Sequence, residues 1–162
     1  MKLIYYPDEF LDKKVDDLDL ENPIRDPIEL RKEMIECMLS NNGIGLSANQ
    51  IGLNAQVFVM GDKEQNTSII INPKILQHTE ETVMDMEGCL SFPGIYVRVT
   101  RPREILAEWY DERLVKQQGK IEGYSAKCFL HEWDHLQGIT FKDRVSKLKW
   151  DMATKKARKL SR

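Results

Sequence analysis

Residues 131–135 read His-Glu-Trp-Asp-His, and this pentad holds the side chains best suited to metal chemistry. On a helix, His131 and His135 lie one turn apart, so both imidazoles project from one face and can bind one metal ion. Glu132 lies beside them, where the general base of a metal-dependent hydrolase takes a proton from water. The alternative is that both histidines are ordinary core residues. The pentad predicts two ligands, whereas a catalytic site of this kind needs a third ligand and an open position.

The third ligand has few candidates. No histidine or glutamate follows His135, whereas proteases with this motif take their third ligand downstream, which argues against that class. Upstream, residues 87–91 read Glu-Gly-Cys-Leu-Ser and place Cys89 between two strand-like runs. The Cys89 thiolate can reach a metal, although a buried structural thiol is the alternative. Cys37 and Cys128 follow helical apolar patterns and are more easily explained as small buried residues.

A third segment, residues 43–50, reads Gly-Ile-Gly-Leu-Ser-Ala-Asn-Gln. It is a tight turn of small residues, and no Lys-Ser/Thr pair follows that would indicate a phosphate-binding loop. The three runs GIGLSANQ, EGCLS and HEWDH, in this order and with this spacing, resemble the three signature motifs of peptide deformylases. The resemblance covers roughly residues 1–145, and it is specific because three separate motifs occur in register.

The resemblance implies a metal centre and a reaction. Cys89, His131 and His135 would bind one divalent metal ion, with water as the fourth ligand. In this family the ion is commonly ferrous iron (Fe2+), and Zn2+, Ni2+ or Co2+ can occupy the same mixed Cys/His ligands. Glu132 would be the acid/base, and the implied reaction removes the formyl group from the N-terminal formylmethionine of newly made polypeptides and releases formate.

Further roles follow from the same resemblance. The side-chain amide of Gln50 and the backbone N–H of Leu90 would donate to the carbonyl oxygen as it gains negative charge. A larger set would bind the substrate, partly as an apolar pocket for the methionine side chain and partly as backbone that holds the peptide as an added strand. The backbone of Ile44 and Gly88 would hold the peptide, and the side chains of Ile44, Tyr124 and Cys128 would form the pocket. The full set is Ile44, Gly45, Gly88, Tyr124 and Cys128.

Ser47 and Lys127 are among the positions that depart from the usual family pattern. Ser47 stands where the first motif usually has alanine, and its hydroxyl needs a partner if it is buried. Lys127 replaces a side chain that is usually apolar, between the pocket residues Tyr124 and Cys128. It either extends outward along the helix or changes substrate preference at the pocket rim.

Length and composition indicate one soluble domain. With 162 residues, of which 41% are hydrophobic, the chain can build one core. No apolar run approaches the length of a membrane span, and the amino terminus lacks the features of a signal or transit peptide. Three cysteines, one of them assigned to the metal by the resemblance, fit a reducing compartment. We therefore expect a cytoplasmic protein with no membrane partner.

The element pattern predicts an α+β fold, with antiparallel and mixed β-sheets packed around a buried central metal-binding helix. Asp26 followed by Pro27 predicts the start of an N-terminal helix. Strand-like runs follow at 55–60, 68–71, 83–86, 96–100, 105–110 and 117–121. The metal-binding helix is predicted at about 125–137, and it is apolar nearly all round.

The carboxyl end differs in charge from the rest. Residues 144–162 contain eight basic residues and one acidic residue, a net charge of +7, whereas the preceding residues carry about −9. We therefore divide the chain into a catalytic domain, 1–145, and a basic helix or tail, 146–162. The spacing of Val145, Leu148 and Met152 predicts a helix that also contains Trp150. A solvated tail and contact with ribosomal RNA near the nascent chain are the two alternatives.

Two other functions remain open at this point. The first is a metal-dependent endopeptidase that uses the same His-Glu-x-x-His chemistry. The second is a catalytically silent module that binds ribosomes or other nucleic acid. The upstream position of Cys89 argues against the first, and the presence of both Glu132 and Gln50 argues against the second.

Overall fold

The computed structural model describes residues 1–160, which contain three α-helices and seven β-strands. The helices are α1 (Pro27–Ser40), α2 (Gly123–Leu136) and α3 (Lys147–Leu160), and the strands are β1 (Gly45–Ser47), β2 (Val57–Met60), β3 (Ser68–His78), β4 (Thr82–Cys89), β5 (Phe92–Pro102), β6 (Glu104–Tyr110) and β7 (Lys116–Glu122). None of these helices is long and apolar enough to cross a bilayer. The last two residues of the basic segment, 161 and 162, lie outside the described residues.

The strands form two sheets. Five strands are ordered β1-β2-β3-β6-β7, and β4 and β5 form a separate two-stranded sheet. Every strand pair in residues 1–160 is antiparallel. The predicted α+β class is therefore confirmed, but the mixed sheet that accompanied it is not found in this part of the chain. After β3 the chain forms the β4–β5 hairpin and returns as β6 beside β3, so it needs no long crossover of the kind that parallel strands require.

The large sheet lies between two helices because its central strands are apolar on both faces. In β2, Val57 and Val59 belong to the core cluster that contains α1, whereas Phe58 belongs to the cluster that contains α2. This division follows the period-two alternation of side chains along a strand. Helix α2 also contacts β5 of the second sheet. It is therefore buried between the two sheets and is a rigid support for any site that it carries.

The predicted helix boundaries are close to the observed ones. Asp26 caps α1 by accepting a hydrogen bond from the N–H of Ile28 at 3.0 Å, and Pro27 occupies the first helical position. Helix α2 ends before Gly138, whose φ of +71° lies in the left-handed region. An ideal Cβ at position 138 would lie 2.6 Å from the carbonyl oxygen of Asp12. Glycine is therefore required where the chain leaves this helix.

Strand β3 extends well beyond the predicted segment, which ended at 71. Asn72 follows the end of that segment, where it adopts a left-handed φ of +49° and the strand pairing shifts register. The Asn72 side chain accepts from Leu18 N–H at 2.8 Å and donates to the Leu18 carbonyl at 2.9 Å. These two bonds stabilise the bulge, so the strand continues through it. The short strand β1 was not predicted.

Helix α3 is present, but only part of the predicted apolar pattern packs against the core. Leu148 and Met152 are 70% and 64% exposed. Trp150 and Ala153 instead pack against a core cluster that includes Phe92. Of the apolar residues named in the prediction, Val145 and Trp150 therefore pack against the core, whereas Leu148 and Met152 do not.

Candidate metal centre and active site

Three candidate metal ligands converge where the end of β4 meets α2. Cys89 is the last residue of β4, and His131 and His135 lie one turn apart on α2. Their ligand atoms all lie within 4.8 Å of one another, and Cys89 Sγ is 3.2 Å from His135 Nε2. Burial lowers the pKa of His135 well below its usual value, so its imidazole is neutral and can act as a ligand. One thiol and two imidazoles at this spacing suit a divalent transition-metal ion.

The ring of His131 is oriented by Glu87, which lies 2.9 Å from its Nδ1. Burial raises the pKa of Glu87, but hydrogen bonds from His131 and Arg101 outweigh this effect and lower it to about 2. Glu87 is therefore a carboxylate and can only accept, so His131 Nδ1 must donate to it. Burial opposes the charge of the His131 ring, but its contacts with Cys89 and Glu87 outweigh burial and raise its pKa well above the usual value. A metal at Nε2 would therefore take the place of a proton on that nitrogen.

A buried ionic network continues from Glu87. Arg101 donates from Nε and Nη2 to the Glu87 carboxylate at 2.6 and 3.0 Å, and from Nη1 to Asp134 at 2.8 Å. Arg144 donates from Nε to Asp134 at 2.9 Å. Two carboxylates are thus balanced by two guanidinium groups. Burial disfavours the charged form of Arg101, but the carboxylates of Glu87 and Asp134 outweigh the effect of burial and raise the Arg101 pKa.

Sequence reasoning did not assign roles to these network residues. One signal was present in β5, where Val97, Val99 and Arg101 alternate in phase and all three are buried. An arginine on the buried face of a strand requires an anionic partner, because an unpaired charge is costly in a low-dielectric interior. The identity of the partners, Glu87 and Asp134, depends on tertiary contacts.

Glu132 is buried beside the three candidate ligands, and its Oε2 has no hydrogen-bond partner in the described part of the chain. Burial raises its pKa to about 7, although His131 and the Ser47 hydroxyl oppose that rise. Gly45 lies directly against this carboxylate. An ideal Cβ at position 45 would overlap Oε1 and lie 2.8 Å from Cδ of Glu132. The absence of a side chain at position 45 therefore makes the space that Glu132 occupies.

Both the oxygen and the nitrogen of the Gln50 side-chain amide are hydrogen-bonded. Its Oε1 accepts from the N–H and the hydroxyl of Ser47, each at 2.9 Å. Its Nε2 donates to Cys89 Sγ at 3.4 Å and to Ser91 Oγ at 3.0 Å. The Ser47 hydroxyl therefore has a partner, as its burial requires. Because Ser47 N–H can only donate, the amide oxygen must face Ser47 and the NH2 group must face the cluster.

A cleft of about 520 Å³ opens onto this cluster. It is lined by residues from both sheets and from α2, including Cys89, His131, Glu132, Gln50 and Leu90. All five predicted substrate-binding residues line it as well: Ile44, Gly45, Gly88, Tyr124 and Cys128. Cys128 is buried, which raises its thiol pKa, and its Sγ contacts the Ile44 carbonyl at 3.5 Å. The three sequence motifs thus meet around one cavity.

The cleft rim contains two further side chains. The Tyr96 ring covers Gly88, where an ideal Cβ would lie 2.6 Å from its Cε1. Lys127 Nζ lies 2.6 Å from Asp85 Oδ2 and 4.3 Å from the centroid of the Tyr124 ring. Lys127 therefore reaches across the rim to β4 and does not extend outward into solvent. Tyr96 was not predicted as a cleft residue.

A buried carboxylate beside a Cys-His-His cluster, mounted on a helix between two antiparallel sheets, has the composition of a metallohydrolase site. The family model for polypeptide deformylase matches residues 1–151. The chain belongs to the polypeptide deformylase family. This confirms the resemblance indicated by the three motifs.

Named relatives and solved structures agree with the family match. The chloroplastic peptide deformylase 1B of Oryza sativa is 39% identical over 153 residues, which cover 90% of this chain and 55% of the rice protein. The peptide deformylase of Rhizorhabdus wittichii is 40% identical and covers 80% of this chain and 78% of the relative.

Two solved structures share the fold. Peptide deformylase 1B of Arabidopsis thaliana, in complex with an inhibitor, superimposes with a TM-score of 0.87 at 34% identity and covers 99% of this chain and 90% of its own. The peptide deformylase of Synechococcus elongatus, in complex with actinonin, gives a TM-score of 0.89 at 32% identity and covers 96% and 86%. These comparisons do not favour the endopeptidase alternative.

Proposed function

We propose that this chain removes the formyl group from N-formylmethionyl peptides and releases formate. The observation that carries the proposal is the buried Glu132 carboxylate, which has no partner at Oε2 in the described residues and lies beside three candidate metal ligands at a substrate-sized cleft. The relatives named peptide deformylase support the same reaction.

The donor set fits one divalent metal ion as cofactor. Cys89, His131 and His135 would hold it, since His131 is oriented by Glu87 and His135 is neutral. When bound, such an ion supplies Lewis-acid activation of water and of the substrate carbonyl. We propose Fe2+ as the native ion, as the family resemblance implies. Zn2+, Ni2+ and Co2+ would substitute for it, because mixed sulfur and nitrogen ligands accept all four ions.

Glu132 would transfer the proton. Its carboxylate accepts a proton from the attacking water as the water oxygen bonds to the formyl carbon. As the carbon–nitrogen bond breaks, Glu132 returns that proton to the departing amine. One water molecule is consumed, and the products are formate and a peptide with a free amino terminus.

Gln50 and Leu90 would stabilise the negative charge that develops on the carbonyl oxygen. Both hydrogens of Gln50 Nε2 are used in the free protein, one toward Cys89 and one toward Ser91. A substrate oxygen would therefore replace or share one of these acceptors. The backbone N–H of Leu90 adjoins Cys89 and would supply the second donor. Each such donor contributes about 3–4 kcal/mol to the transition state.

The peptide would bind along the edge of β1. The Ile44 carbonyl already accepts from Gly61 N–H at 2.9 Å, so the backbone of Ile44 faces β2. Because successive residues of a strand present their backbone groups to opposite sides, the N–H and C=O of Gly45 face the cleft. We therefore assign the main-chain contacts to Gly45 and Gly88, in place of the backbone of Ile44 that the resemblance implied. The side chains of Ile44, Tyr124 and Cys128 would form the methionine pocket.

We also propose that α3 contacts the ribosome, where the substrate is made. Trp150 and Ala153 anchor the helix to the core, and its lysines, among them Lys155, Lys156 and Lys159, are exposed. Exposed lysines on one short helix attract phosphate groups of RNA. Cosedimentation with ribosomes should weaken when these three lysines are changed to Glu, and the control Lys63→Glu should bind normally. Equal binding of both would reject this partner.

The cytoplasmic location and the division at residue 145 stay predictions.

The reaction is tested with protein purified anaerobically and loaded with Fe2+, Co2+ or Zn2+. Exclusion of oxygen matters because a thiolate-ligated iron centre is prone to oxidation. We expect formate release from formyl-Met-Ala-Ser and no internal cleavage of casein. Casein cleavage without formate release would support the endopeptidase alternative. Bound metal with neither activity would reject both reactions.

A further inference from the structure

Arg144 does not line the cleft, yet it contacts a buried carboxylate next to a candidate metal ligand. It ends the short turn Phe141–Arg144 that precedes α3. Its Nε and Nη2 approach the two oxygens of Asp134 at 2.9 and 2.5 Å, which is the bidentate geometry that a guanidinium favours. The Arg144 side chain is 40% exposed, whereas that of Asp134 is 2% exposed. A surface cation therefore supports a buried anion beside His135.

Asp134 is connected to Glu87 through Arg101. The Arg101 guanidinium is planar, and its three nitrogens donate to these two carboxylates. With Arg144 present, two cations balance two buried anions. If Arg144 lost its charge and its bidentate contact with Asp134, Arg101 would be the one guanidinium left for the carboxylates of Glu87 and Asp134. It would then move toward Asp134, because a buried carboxylate with too few partners is costly.

Glu87 connects Arg101 to His131. Glu87 Oε2 accepts both from Arg101 Nη2 at 3.0 Å and from His131 Nδ1 at 2.9 Å. The same oxygen thus depends on the position of Arg101 and sets the position of the imidazole. An unbroken series of hydrogen bonds, none longer than 3.0 Å, runs from Arg144 to His131.

A second contact path joins the same segment to the same ring. The Trp150 and Phe141 rings lie 5.6 Å apart edge to face, and the Phe141 and His131 rings lie 5.8 Å apart. The C-terminal segment therefore approaches His131 through ring packing as well as through charge. Of the two paths, only the ionic one determines which way Nδ1 points, because aromatic packing exerts no such directional preference on a ring nitrogen.

We infer that Arg144 is a positioning residue, which acts through Asp134, Arg101 and Glu87 to hold His131 in the orientation of a metal ligand. This inference deepens the proposed function, since it takes His131 as a ligand. The expected change in the His131 hydrogen bond, however, exists with or without a metal. It can therefore be measured separately from the reaction.

The chain contains three histidines, so ¹⁵N-histidine labelling gives a simple NMR spectrum in which exposed His78 is an internal reference. In Arg144→Met, we expect the His131 Nδ1–H signal to shift and its solvent exchange to accelerate roughly tenfold, as its hydrogen-bond partner loses support. The matched control is Arg103→Met, because Arg103 also pairs with a carboxylate, Glu81 at 2.7 Å, but on the exposed surface. This control should match the unmodified protein within about twofold.

Arg144→Lys keeps the positive charge but cannot make the bidentate contact. It replaces Arg144→Met in these measurements if Arg144→Met does not fold. We expect its exchange to be about two- to fivefold faster than in the unmodified protein. Loss of Zn2+ to a chelator should accelerate in the same order, roughly three- to tenfold in Arg144→Met. Unchanged His131 signals in either Arg144 variant, or equal changes in Arg103→Met, would overturn the inference. Absence of metal binding or formate release by the unmodified protein would instead reject the proposed function, and the NMR comparison would still decide this inference.

Discussion

Gly45→Ala should displace the proposed base, Glu132, while the glutamate itself is left in the sequence. Gly45 lies in β1 and its φ is outside the left-handed region, so its backbone accepts alanine. The added Cβ, however, would overlap Glu132 Oε1 and would lie 2.8 Å from Cδ, about 0.6 Å short of an ordinary contact at 3.4 Å. Glu132 is the group that moves, because these atoms are the far end of a flexible side chain whereas the backbone of Gly45 is held by the pairing of β1 with β2. Its carboxylate must therefore leave the position from which it can serve water in the cleft.

A misplacement of about 1 Å in a catalytic group costs roughly 100-fold in rate, or about 2.7 kcal/mol of activation free energy. We expect Gly45→Ala to lower kcat for formyl-Met-Ala-Ser by about that factor, with metal content unchanged. The assay is formate release at several substrate concentrations, with metal analysis and thermal unfolding on the same preparation. Because the methyl group points at Glu132, KM should change less than kcat.

Gly119→Ala is the matched control, since its Cβ would meet its nearest neighbour, Trp109, at 3.7 Å. It should retain normal kcat. If Gly45→Ala retains kcat within about threefold of the unmodified protein, Glu132 is either not the base or is free to move, and the reasoning from this contact is wrong.

Three further outcomes follow from the structure. Glu132→Gln keeps the shape but removes the proton acceptor, so kcat should fall by about 10²–10⁴-fold at normal metal content, and near-normal turnover would contradict the assigned role. Although burial raises the pKa of Glu87, its hydrogen bonds lower it to about 2, below the ordinary 4.5. The charged Glu87 therefore stabilises the fold fully above pH 4.5, and this stabilisation is lost as the pH falls toward 2. The urea midpoint of the unmodified protein should fall between pH 4.5 and pH 2, and that of Glu87→Gln should fall less steeply over the same range. Trp150→Ala should lower the free energy of unfolding by about 2 kcal/mol, since this ring is only partly buried, whereas Leu148→Ala on the exposed face should stay within about 0.5 kcal/mol in the same urea titrations.

The parts of the site that the sequence predicted well are those set by local geometry. His131, Glu132 and His135 occupy one helical turn, so their relative placement follows from the rise and period of an α-helix. The apolar run at 55–60 is likewise a local signal, and β2 (Val57–Met60) lies inside it. By contrast, the predicted strand at 68–71 ended just before Asn72, a residue whose left-handed conformation can form either a turn or a bulge. Only its long-range bonds to Leu18 decide between the two.

The sequence by itself determined the family and the kinds of side chain available: one motif cysteine, two histidines one turn apart, and a glutamate between them. Tertiary structure alone decided that Cys89, from the other sheet, lies 3.2 Å from His135, that position 45 must lack a side chain because Glu132 occupies that space, and that Arg144 supports His131 through three buried residues. The physical reason is that helical and strand periods repeat over a few residues, whereas each of these contacts joins segments that are distant along the chain. Such contacts form only when the cores on both sides of α2 have packed, because burial is what makes an unpaired charge too costly to leave without a partner.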